Sequence, residues 1–320
     1  MSKPNLLITG CAGFIGSHAV DYFLEKGYKV DGVDCFTYAG NASNIRDHYA
    51  NHNFKLFNTN ICNTSKILEI CQLRDIKWII NFAAETHVDN SIRSCDTFIE
   101  SNIDGVRSLL EVCRQTGARL FHLSTDEIYG DIKAGSFKEA DHLNPKNPYS
   151  ATKAAAEHMI KAYANTYGVE YLMVRPSNNF GPRQHGEKFI PTIMRKLLND
   201  EKIPIYGTGR NVREWTYVKD TPRAIEHILL NSEFNKTYNI SSSNEQENLE
   251  IVKKITAVLN RDFDSSIEFV RDRLGHDFRY SVDATKLADL GFTLDGSERF
   301  EENLKETIRY FMDKQKSKES

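Results

Sequence analysis

A short acidic segment contains the first residues whose types suggest chemistry. The stretch "STDEIYG" sets Thr125, Asp126 and Glu127 in a row behind a short apolar run. Strands favour β-branched and aromatic residues, so two adjacent acids where a predicted strand ends are an unusual local choice. Close carboxyl groups drive their pKa values apart, which allows one to be neutral while the other is ionised. In the simpler interpretation, the pair caps the strand end or binds arginines.

A tyrosine and a lysine form the second candidate group. Tyr149 and Lys153 stand four residues apart in "PYSATK". At that spacing both side chains share one helix face, one turn apart. A tyrosine with an ordinary pKa of about 10 is a poor base at neutral pH, but a nearby ammonium favours the phenolate. The spacing alone is common on helix surfaces, and its combination with Thr125 and a glycine-rich turn favours catalysis.

The glycine-rich turn follows the first predicted strand. The stretch "LLITGCAGFIGSH" spaces Gly10, Gly13 and Gly16 as G-x-x-G-x-x-G. Such a turn lets the backbone approach a pyrophosphate, which then lies at the positive end of the following helix. Glycine turns also occur for structural reasons alone, but the position between strand and helix favours a dinucleotide site. The other residues that we assign to this cofactor site, in the turn and at the end of the fourth strand, are Phe14, Ile15, Ala83 and Ala84.

An aspartate at the end of the second strand indicates which dinucleotide binds. Asp34 lies 18 residues after Gly16, and no Lys or Arg follows it until Arg46. A carboxylate there accepts hydrogen bonds from the adenosine ribose and repels a 2′-phosphate, so we predict NAD rather than NADP. Lys153 could then hold the nicotinamide ribose. We predict that two residues at the end of the third strand line the adenine pocket, although an ordinary loop role is nearly as consistent with the first: Asn60 and Ile61.

Short apolar runs alternate with longer helical patterns over the first half of the chain. The predicted strands are residues 5–10, 28–34, 54–61, 77–84, 119–125 and 170–178. The predicted helices between them are residues 14–27, 67–75, 101–117 and 150–167. Strand–helix alternation is typical of a doubly wound parallel sheet with helices on both faces, so we predict a Rossmann-type α/β fold.

The pattern changes after about residue 178, where helices mix with short strands. We therefore predict an NAD-binding domain over residues 1–178 and a smaller mixed α/β domain over residues 179–320. A segment near 216–240 is predicted to return to the first domain.

Composition excludes several classes of protein. The 320 residues are 40% apolar and 27% charged with a net charge of −3, so nothing indicates nucleic-acid binding. No apolar run approaches the ~20 residues that cross a bilayer, and the strand pattern begins too early for a signal peptide. The six cysteines lack C-x-x-C spacing, which indicates free thiols rather than disulfides or a zinc site. We expect a cytoplasmic protein with no metal and no membrane partner.

Taken together, these motifs resemble those of the extended short-chain dehydrogenases/reductases, which use a Ser/Thr, Tyr and Lys triad over bound NAD(P). Over residues 5–310, further stretches resemble the dTDP-glucose 4,6-dehydratases: "STDEIYGD", "AAETHVDNSI", "PYSATKAAAEH", "EKFIP", "PIYGTG" and "RDRLGHDFRY". The acid pair is the specific element, because sugar-nucleotide epimerases share the glycine turn and triad but usually lack adjacent Asp and Glu.

The resemblance implies a role for each catalytic residue. Tyr149, with Thr125, takes the proton of the C4 hydroxyl while hydride passes from C4 to NAD. Glu127 removes the C5 proton, and protonated Asp126 donates to the departing C6 hydroxyl. Hydride then returns to C6, so NAD stays bound. The resemblance also implies a homodimer formed by two exposed helices per subunit, including residues 150–167.

The resemblance further implies a nucleotide-diphosphate-glucose substrate, whose diphosphate requires cations. The predicted cations are Lys188, Arg213, Arg273 and His276. The other predicted substrate contacts are Glu85, Thr86, His87, Asn178, Asn179, Pro204, Tyr206 and Asn248. Any one of the cations could instead be an ordinary solvated residue.

Four departures from the family pattern leave the nucleobase open. They are Asn60, Arg183, Leu274 and Phe278. We expect dTDP-glucose as the substrate, with UDP-glucose as the alternative. An epimerase or a UDP-glucuronate decarboxylase comes next, although neither needs the acid pair. A non-catalytic NAD-binding protein would be expected to lack a triad member, and all three are present.

Overall fold

The computed structural model describes residues 3–272 and 277–319. The strands are β1 (Asn5–Thr9), β2 (Lys29–Asp34), β3 (Phe54–Asn58), β4 (Trp78–Asn81), β5 (Arg119–Leu123), β6 (Tyr171–Pro176), β7 (Asn178–Phe180), β8 (Ile203–Tyr206), β9 (Val212–Tyr217), β10 (Lys236–Ile240), β11 (Glu245–Glu247) and β12 (Ile267–Val270). The α-helices are α1 (Phe14–Glu25), α2 (Thr64–Leu73), α3 (Val88–Arg93), α4 (Asp96–Ile99), α5 (Gly105–Thr116), α6 (Pro148–Tyr167), α7 (Phe189–Leu198), α8 (Asp220–Asn231), α9 (Asn248–Val258), α10 (Phe263–Ser266), α11 (Thr285–Asp289) and α12 (Phe300–Glu319).

Seven of the described strands form one parallel sheet in the order β10-β6-β5-β4-β1-β2-β3. The predicted Rossmann-type fold is confirmed. The strand order reverses between β1 and β4, and ligands of such sheets bind in the crevice outside the carboxyl ends at this point.

Helices cover both faces of this sheet, which explains its continuous apolar runs. In β1, Leu6 and Ile8 belong to the core on one face, and Leu7 belongs to the core on the other. All three are fully buried. Successive strand residues point to opposite faces, so the middle of a strand buried on both sides is apolar at every position.

A smaller mixed lobe follows the large sheet. It contains a three-stranded sheet, β11-β9-β7, and the pair β12-β8, around an apolar core of its own. After α8, β10 pairs with β6 in the large sheet. The division at residue 178 into two domains stays a prediction. Within the described residues, no helix is long and apolar enough to span a membrane.

A buried ion pair fixes α6, the helix that carries Tyr149 and Lys153. Arg175 on β6 donates through Nε and Nη2 to the two carboxylate oxygens of Glu157, at 2.9 and 2.5 Å. Its Nη1 also donates to the hydroxyl of Tyr129 at 2.5 Å. A two-pronged pair of this kind satisfies both buried charges and allows little rotation. The tyrosine, the lysine and the turn after β5 are thereby held in one rigid frame.

Candidate active site

The glycine turn leaves no room for side chains. Gly10 has a φ of +65°, and a Cβ there would lie 2.7 Å from the nitrogen of Ala83. A Cβ on Gly16 would lie 2.1 Å from the carbonyl oxygen of Gly10. Gly13 caps the N-terminus of α1, and its N–H donates to the oxygen of Gly10 at 3.1 Å. The turn is therefore bare backbone at a positive helix end, a cradle that suits a pyrophosphate.

The carboxylate of Asp34 is held beside this cradle by backbone donors. The N–H of Ala12 donates to its Oδ2 at 2.9 Å, and the N–H of Phe36 donates to its Oδ1 at 2.8 Å. Burial raises the pKa of Asp34, and the backbone N–H groups oppose that shift. Among the described residues, the cations that line the crevice are Lys153 and Lys188, and each is bound elsewhere in the site.

The structure brings all twelve predicted cofactor residues to one crevice at the carboxyl ends of the strands. They are Gly10, Gly13, Phe14, Ile15, Gly16, Asp34, Asn60, Ile61, Ala83, Ala84, Tyr149 and Lys153. The side chain of Asn60 also has a structural task, because its Oδ1 accepts the N–H of Cys62 at 2.9 Å. Ile61 packs against the start of α5, where a Cβ on Gly105 would lie 2.4 Å from its Cδ1.

The acid pair lies in a 3-10 turn directly after β5 and faces the same crevice. The hydroxyl of Thr125 donates to Asp126 Oδ1 at 3.2 Å and accepts the N–H of Glu127 at 3.3 Å. Asn147, which caps α6, donates to Glu127 Oε2 at 3.4 Å. The pair is therefore connected to the helix that carries Tyr149.

The two carboxyl groups have different electrostatic surroundings. Asp126 is 2% exposed, and its Oδ2 has no hydrogen-bond partner among the described residues. Burial, together with the charges of Glu127 and Glu214, holds the pKa of Asp126 well above its ordinary value. Burial also raises the pKa of Glu127, but the cations Lys188 and Arg213 oppose that shift. Asp126 is thus the member that keeps its proton, and Glu127 is the member that ionises first.

Tyr149 and Lys153 both line the crevice, and their predicted electrostatic coupling stays a prediction. Burial and the charge of Glu127 raise the pKa of Tyr149, and a hydrogen bond with Thr125 lowers it. Burial lowers the pKa of Lys153 to about 8. The Nζ of Lys153 donates to the carbonyl oxygen of Leu123 at 2.6 Å. The Nζ of Lys153 is therefore directed at β5, and burial is the main cause of the raised pKa of Tyr149.

A second cavity opens from the crevice into the smaller lobe. It contains eight of the predicted substrate residues: Thr86, His87, Asn178, Lys188, Pro204, Tyr206, Arg213 and Asn248. The residues common to crevice and cavity are Thr86, Glu127, Asn178, Glu187 and Lys188. Glu85 and Asn179 line only the crevice. The predictions for Arg273 and His276 fall outside the described residues.

The two predicted asparagines differ in what their side chains do. The Oδ1 of Asn178 is buried and has no partner among the residues that the structure describes. Asn179 is engaged internally, since its Nδ2 donates to the oxygen of Ser177 at 3.0 Å and its Oδ1 accepts from Thr221 at 2.6 Å. Asn178 is thus the asparagine with an oxygen available to a ligand.

Both cavity cations are oriented by oxygen atoms of the chain. Lys188 donates to the carbonyl and hydroxyl oxygens of Thr86 at 2.9 and 3.2 Å. The guanidinium of Arg213 donates to the carbonyl oxygen of Asp277 at 2.8 Å and lies 4.3 Å from the ring centre of Tyr280. These contacts hold positive charge beside Glu127 in a cavity that could take an anion.

Sequence reasoning missed a group at the mouth of the crevice. The hydroxyl of Tyr38 donates to Glu187 Oε1 at 3.2 Å, although the two residues are 149 positions apart. The ring of Tyr38 also contacts the ring of His185, with centres 5.2 Å apart. The only sequence feature that pointed to Glu187 is its position next to the predicted Lys188 in "EKFIP". Nothing in the spacing indicated Tyr38.

Comparison with known proteins agrees with this geometry. Residues 7–307 match the family model described as GDP-mannose 4,6 dehydratase. The chain belongs to this family. The predicted relationship to the extended short-chain dehydrogenases/reductases, near the 4,6-dehydratases, is confirmed.

Relatives of known name are similar to this chain over nearly its whole length. Low-salt glycan biosynthesis protein Agl12 of Haloferax volcanii is 41% identical over 310 residues, covering 96% of the chain and 98% of that protein. The dTDP-glucose 4,6-dehydratase of Neisseria gonorrhoeae is 37% identical over 335 residues, covering 97% and 96%. A double mutant of the dTDP-glucose 4,6-dehydratase of Streptomyces venezuelae, solved with NAD bound, superposes with a TM-score of 0.93 at 37% identity, covering 98% of each chain.

Proposed function

We propose that the protein is an NAD-dependent nucleotide-sugar 4,6-dehydratase that converts dTDP-glucose to dTDP-4-keto-6-deoxyglucose and water. One observation carries this proposal: Asp126 and Glu127, two adjacent buried carboxyl groups whose surroundings raise the pKa of Asp126 more strongly, face the same crevice as Tyr149 and Lys153. Epimerisation at C4 requires oxidation and reduction at that carbon alone. Loss of water between C5 and C6 also requires a base and an acid, and the pair supplies both.

The crevice fits NAD. The bare glycine turn forms a cradle for the pyrophosphate, and Asp34 presents a carboxylate where the adenosine ribose would lie. A 2′-phosphate would meet this carboxylate, so the fit favours NAD over NADP. When bound, NAD supplies the hydride acceptor for C4, the hydride donor for C6 and a positive ring that opposes the raised pKa of Tyr149.

Tyr149 is the base for the C4 hydroxyl in this proposal. Thr125 interacts with its hydroxyl in the sense that lowers the pKa of Tyr149. Lys153, held at the end of β5, binds the nicotinamide ribose in this proposal. Removal of the hydroxyl proton accompanies oxidation at C4, and the resulting ketone makes the proton on C5 acidic.

Glu127 and Asp126 then act on neighbouring carbons. Ionised Glu127 takes the C5 proton, while Asp126 gives its proton to the C6 hydroxyl, which leaves as water. After hydride has returned to C6, Glu127 gives the proton back to C5. Tyr149 has then gained the proton of the C4 hydroxyl and Asp126 has lost one, so the number of protons on the protein is unchanged. Transfer of one proton from Tyr149 to Asp126, directly or through solvent, restores the starting state.

The cavity in the smaller lobe suits the nucleoside diphosphate. Lys188 and Arg213 supply positive charge for the diphosphate, and the amide oxygen of Asn178 accepts a hydrogen bond from a sugar hydroxyl. Pro204 and Tyr206 supply apolar surface for the base. The relatives named as dTDP-glucose dehydratases favour thymidine, and UDP-glucose is the alternative substrate.

We also propose that the protein is a homodimer that pairs through α5 and α6. These helices pack side by side on one face of the large sheet. Met159 and Tyr163 on α6 are only partly buried, and Tyr167 is exposed. Light scattering at micromolar concentration tests this proposal. A monomeric mass would contradict it.

The decisive experiment uses purified protein without added NAD. It is incubated separately with dTDP-glucose and UDP-glucose, each carrying deuterium at C4. We expect the 4-keto-6-deoxy product from the dTDP sugar, with the deuterium recovered at C6. If only UDP-glucose gives the product, UDP-glucose replaces dTDP-glucose as the proposed substrate. A C4 epimer, or no product from either sugar, would contradict the dehydratase proposal.

A further inference from the structure

A row of buried polar side chains crosses the centre of the large sheet at the edge that carries the site. Thr9, Asn81 and His122 are cross-strand neighbours near the carboxyl ends of β1, β4 and β5. None of the three is more than 1% exposed. Two positions earlier on each strand, the same face carries the apolar core residues Leu7, Ile79 and Leu120.

Hydrogen bonds connect this row to the active-site lysine. The hydroxyl of Thr9 donates to Asn81 Oδ1 at 2.6 Å. The Nδ2 of Asn81 lies 3.1 Å from Nδ1 of His122, and Nε2 of His122 lies 3.5 Å from Nζ of Lys153. Buried polar groups are costly unless they are paired, so a row of this kind is maintained by its mutual contacts.

The direction of these bonds determines where the ring of His122 carries its proton. An amide nitrogen only donates, so Nδ1 is the acceptor and the neutral ring is protonated on Nε2. Burial and the charge of Lys153 hold the pKa of His122 well below its ordinary value, so the ring is neutral. Its N–H therefore faces Lys153 and donates to the lone pair of the neutral amine, the form that burial favours by lowering the pKa of Lys153 to about 8.

We propose that His122 is a positioning residue of the dehydratase reaction. As the last member of the row from Thr9 through Asn81, it fixes the Nζ of Lys153 at the carboxyl end of β5, together with the carbonyl oxygen of Leu123. This role rests on the proposed function. Lysine has a flexible four-carbon stem, and a misplacement of about 1 Å at a reacting site costs roughly a hundredfold in rate.

Two variants of His122 separate positioning from ordinary packing. Gln places an amide group near the position of Nε2 and retains a contact with Lys153. Asn places its amide near the position of Nδ1 and retains only the contact with Asn81. Both leave a polar, smaller side chain in the same buried site. The packing control is Met173→Leu, since Met173 is the apolar cross-strand neighbour of His122 on β6.

The measurements are kcat and KM for dTDP-glucose, NAD content and thermal stability. We expect His122→Asn to lower kcat roughly a hundredfold at unchanged KM. His122→Gln should remain within roughly tenfold of the wild type, and Met173→Leu should match it. Three outcomes would overturn the positioning role. The two His122 variants could be slowed equally, the Gln variant could be slower than the Asn variant, or both could keep the wild-type rate.

A second measurement does not depend on turnover. Nitrogen NMR of histidine-labelled protein should show His122 protonated on Nε2, with no titration between about pH 5 and 8. Lys153→Met should shift the Nε2 signal. A ring protonated on Nδ1, a titrating ring or an unmoved signal would overturn the proposed contact. A wild-type protein that converts neither sugar nucleotide, but shows these signals, contradicts the proposed function alone.

Discussion

The cofactor crevice and the substrate cavity meet at Glu127 and Lys188, yet they are built differently. Turns that follow neighbouring strands of one parallel sheet line most of the crevice, so strand register places its residues. The cavity combines segments near residues 86–89, 187–193 and 203–215 with residues further along the smaller lobe. The crevice therefore depends on local backbone geometry, and the cavity depends on how distant segments pack. Changes in the crevice should affect chemical steps, and changes in the cavity should affect binding.

The largest effect should follow removal of the crevice base. Tyr149→Phe removes the hydroxyl that takes the C4 proton, so we expect kcat to fall roughly 10⁴-fold. Steady-state assays with dTDP-glucose measure this loss, and NAD content should remain normal. Tyr163→Phe, on the same helix but outside the site, is the matched control. Turnover within tenfold of the wild type would assign the base elsewhere.

Glu127→Gln should divide the reaction into its two halves. The amide cannot take the C5 proton, so we expect overall turnover to fall roughly 10³-fold. Oxidation at C4 should continue in part, because Tyr149 is intact, and reduced cofactor should accumulate as absorbance at about 340 nm. Full turnover by this variant would refute the assignment of Glu127. Glu170→Gln, at a half-buried glutamate just before β6, is the control.

The pH dependence should report the different surroundings of the two acids. The base works above its pKa and the acid works below its pKa, so kcat/KM should rise through the Glu127 value and fall through the Asp126 value. Both pKa values are raised, Asp126 strongly, so the active window lies above the range of ordinary carboxyl groups. Each limb should change about tenfold per pH unit. Asp126→Asn should be slow and lack the alkaline limb. An unchanged alkaline limb would identify another acid.

The smallest effect should arise in the cavity. Arg213→Met removes a cation that faces the expected diphosphate, so we expect KM for dTDP-glucose to rise about tenfold, or ~1.4 kcal/mol. The value of kcat should change much less. Arg210→Met, an exposed arginine of the preceding turn, is the matched control. If Arg213→Met instead lowers kcat at constant KM, the assignment of chemical steps to the crevice and of binding to the cavity is wrong.

The crevice could be predicted because its signals are local. The spacing of the glycines, the acid at the end of β2 and the Tyr149–Lys153 pair each lie within a few residues of a strand or helix end. Parallel strands bring their carboxyl ends to one edge, so correct strands place these residues together. The same logic predicted the doubly wound fold, which is confirmed.

Features that depend on packing could not be predicted from the sequence. A continuous helix was predicted over residues 101–117, but Glu100–Asp104 forms a π-helical turn before α5 begins at Gly105. Ile61 packs so closely against Gly105 that a Cβ there would not fit. The pairing of Tyr38 with Glu187 joins segments 149 positions apart, and no periodicity links them.

By itself, the sequence determined the order of strands and helices, the bare backbone turn after β1 and the identity of the groups that can move protons. These depend on residue type and short spacing, which local sterics and hydrogen bonding decide. Only the tertiary structure decided which acid keeps its proton, where Lys153 points and that His122 ends a polar row. Burial and long-range contacts set these properties, because desolvation and charge depend on neighbours that the chain brings together only when it folds.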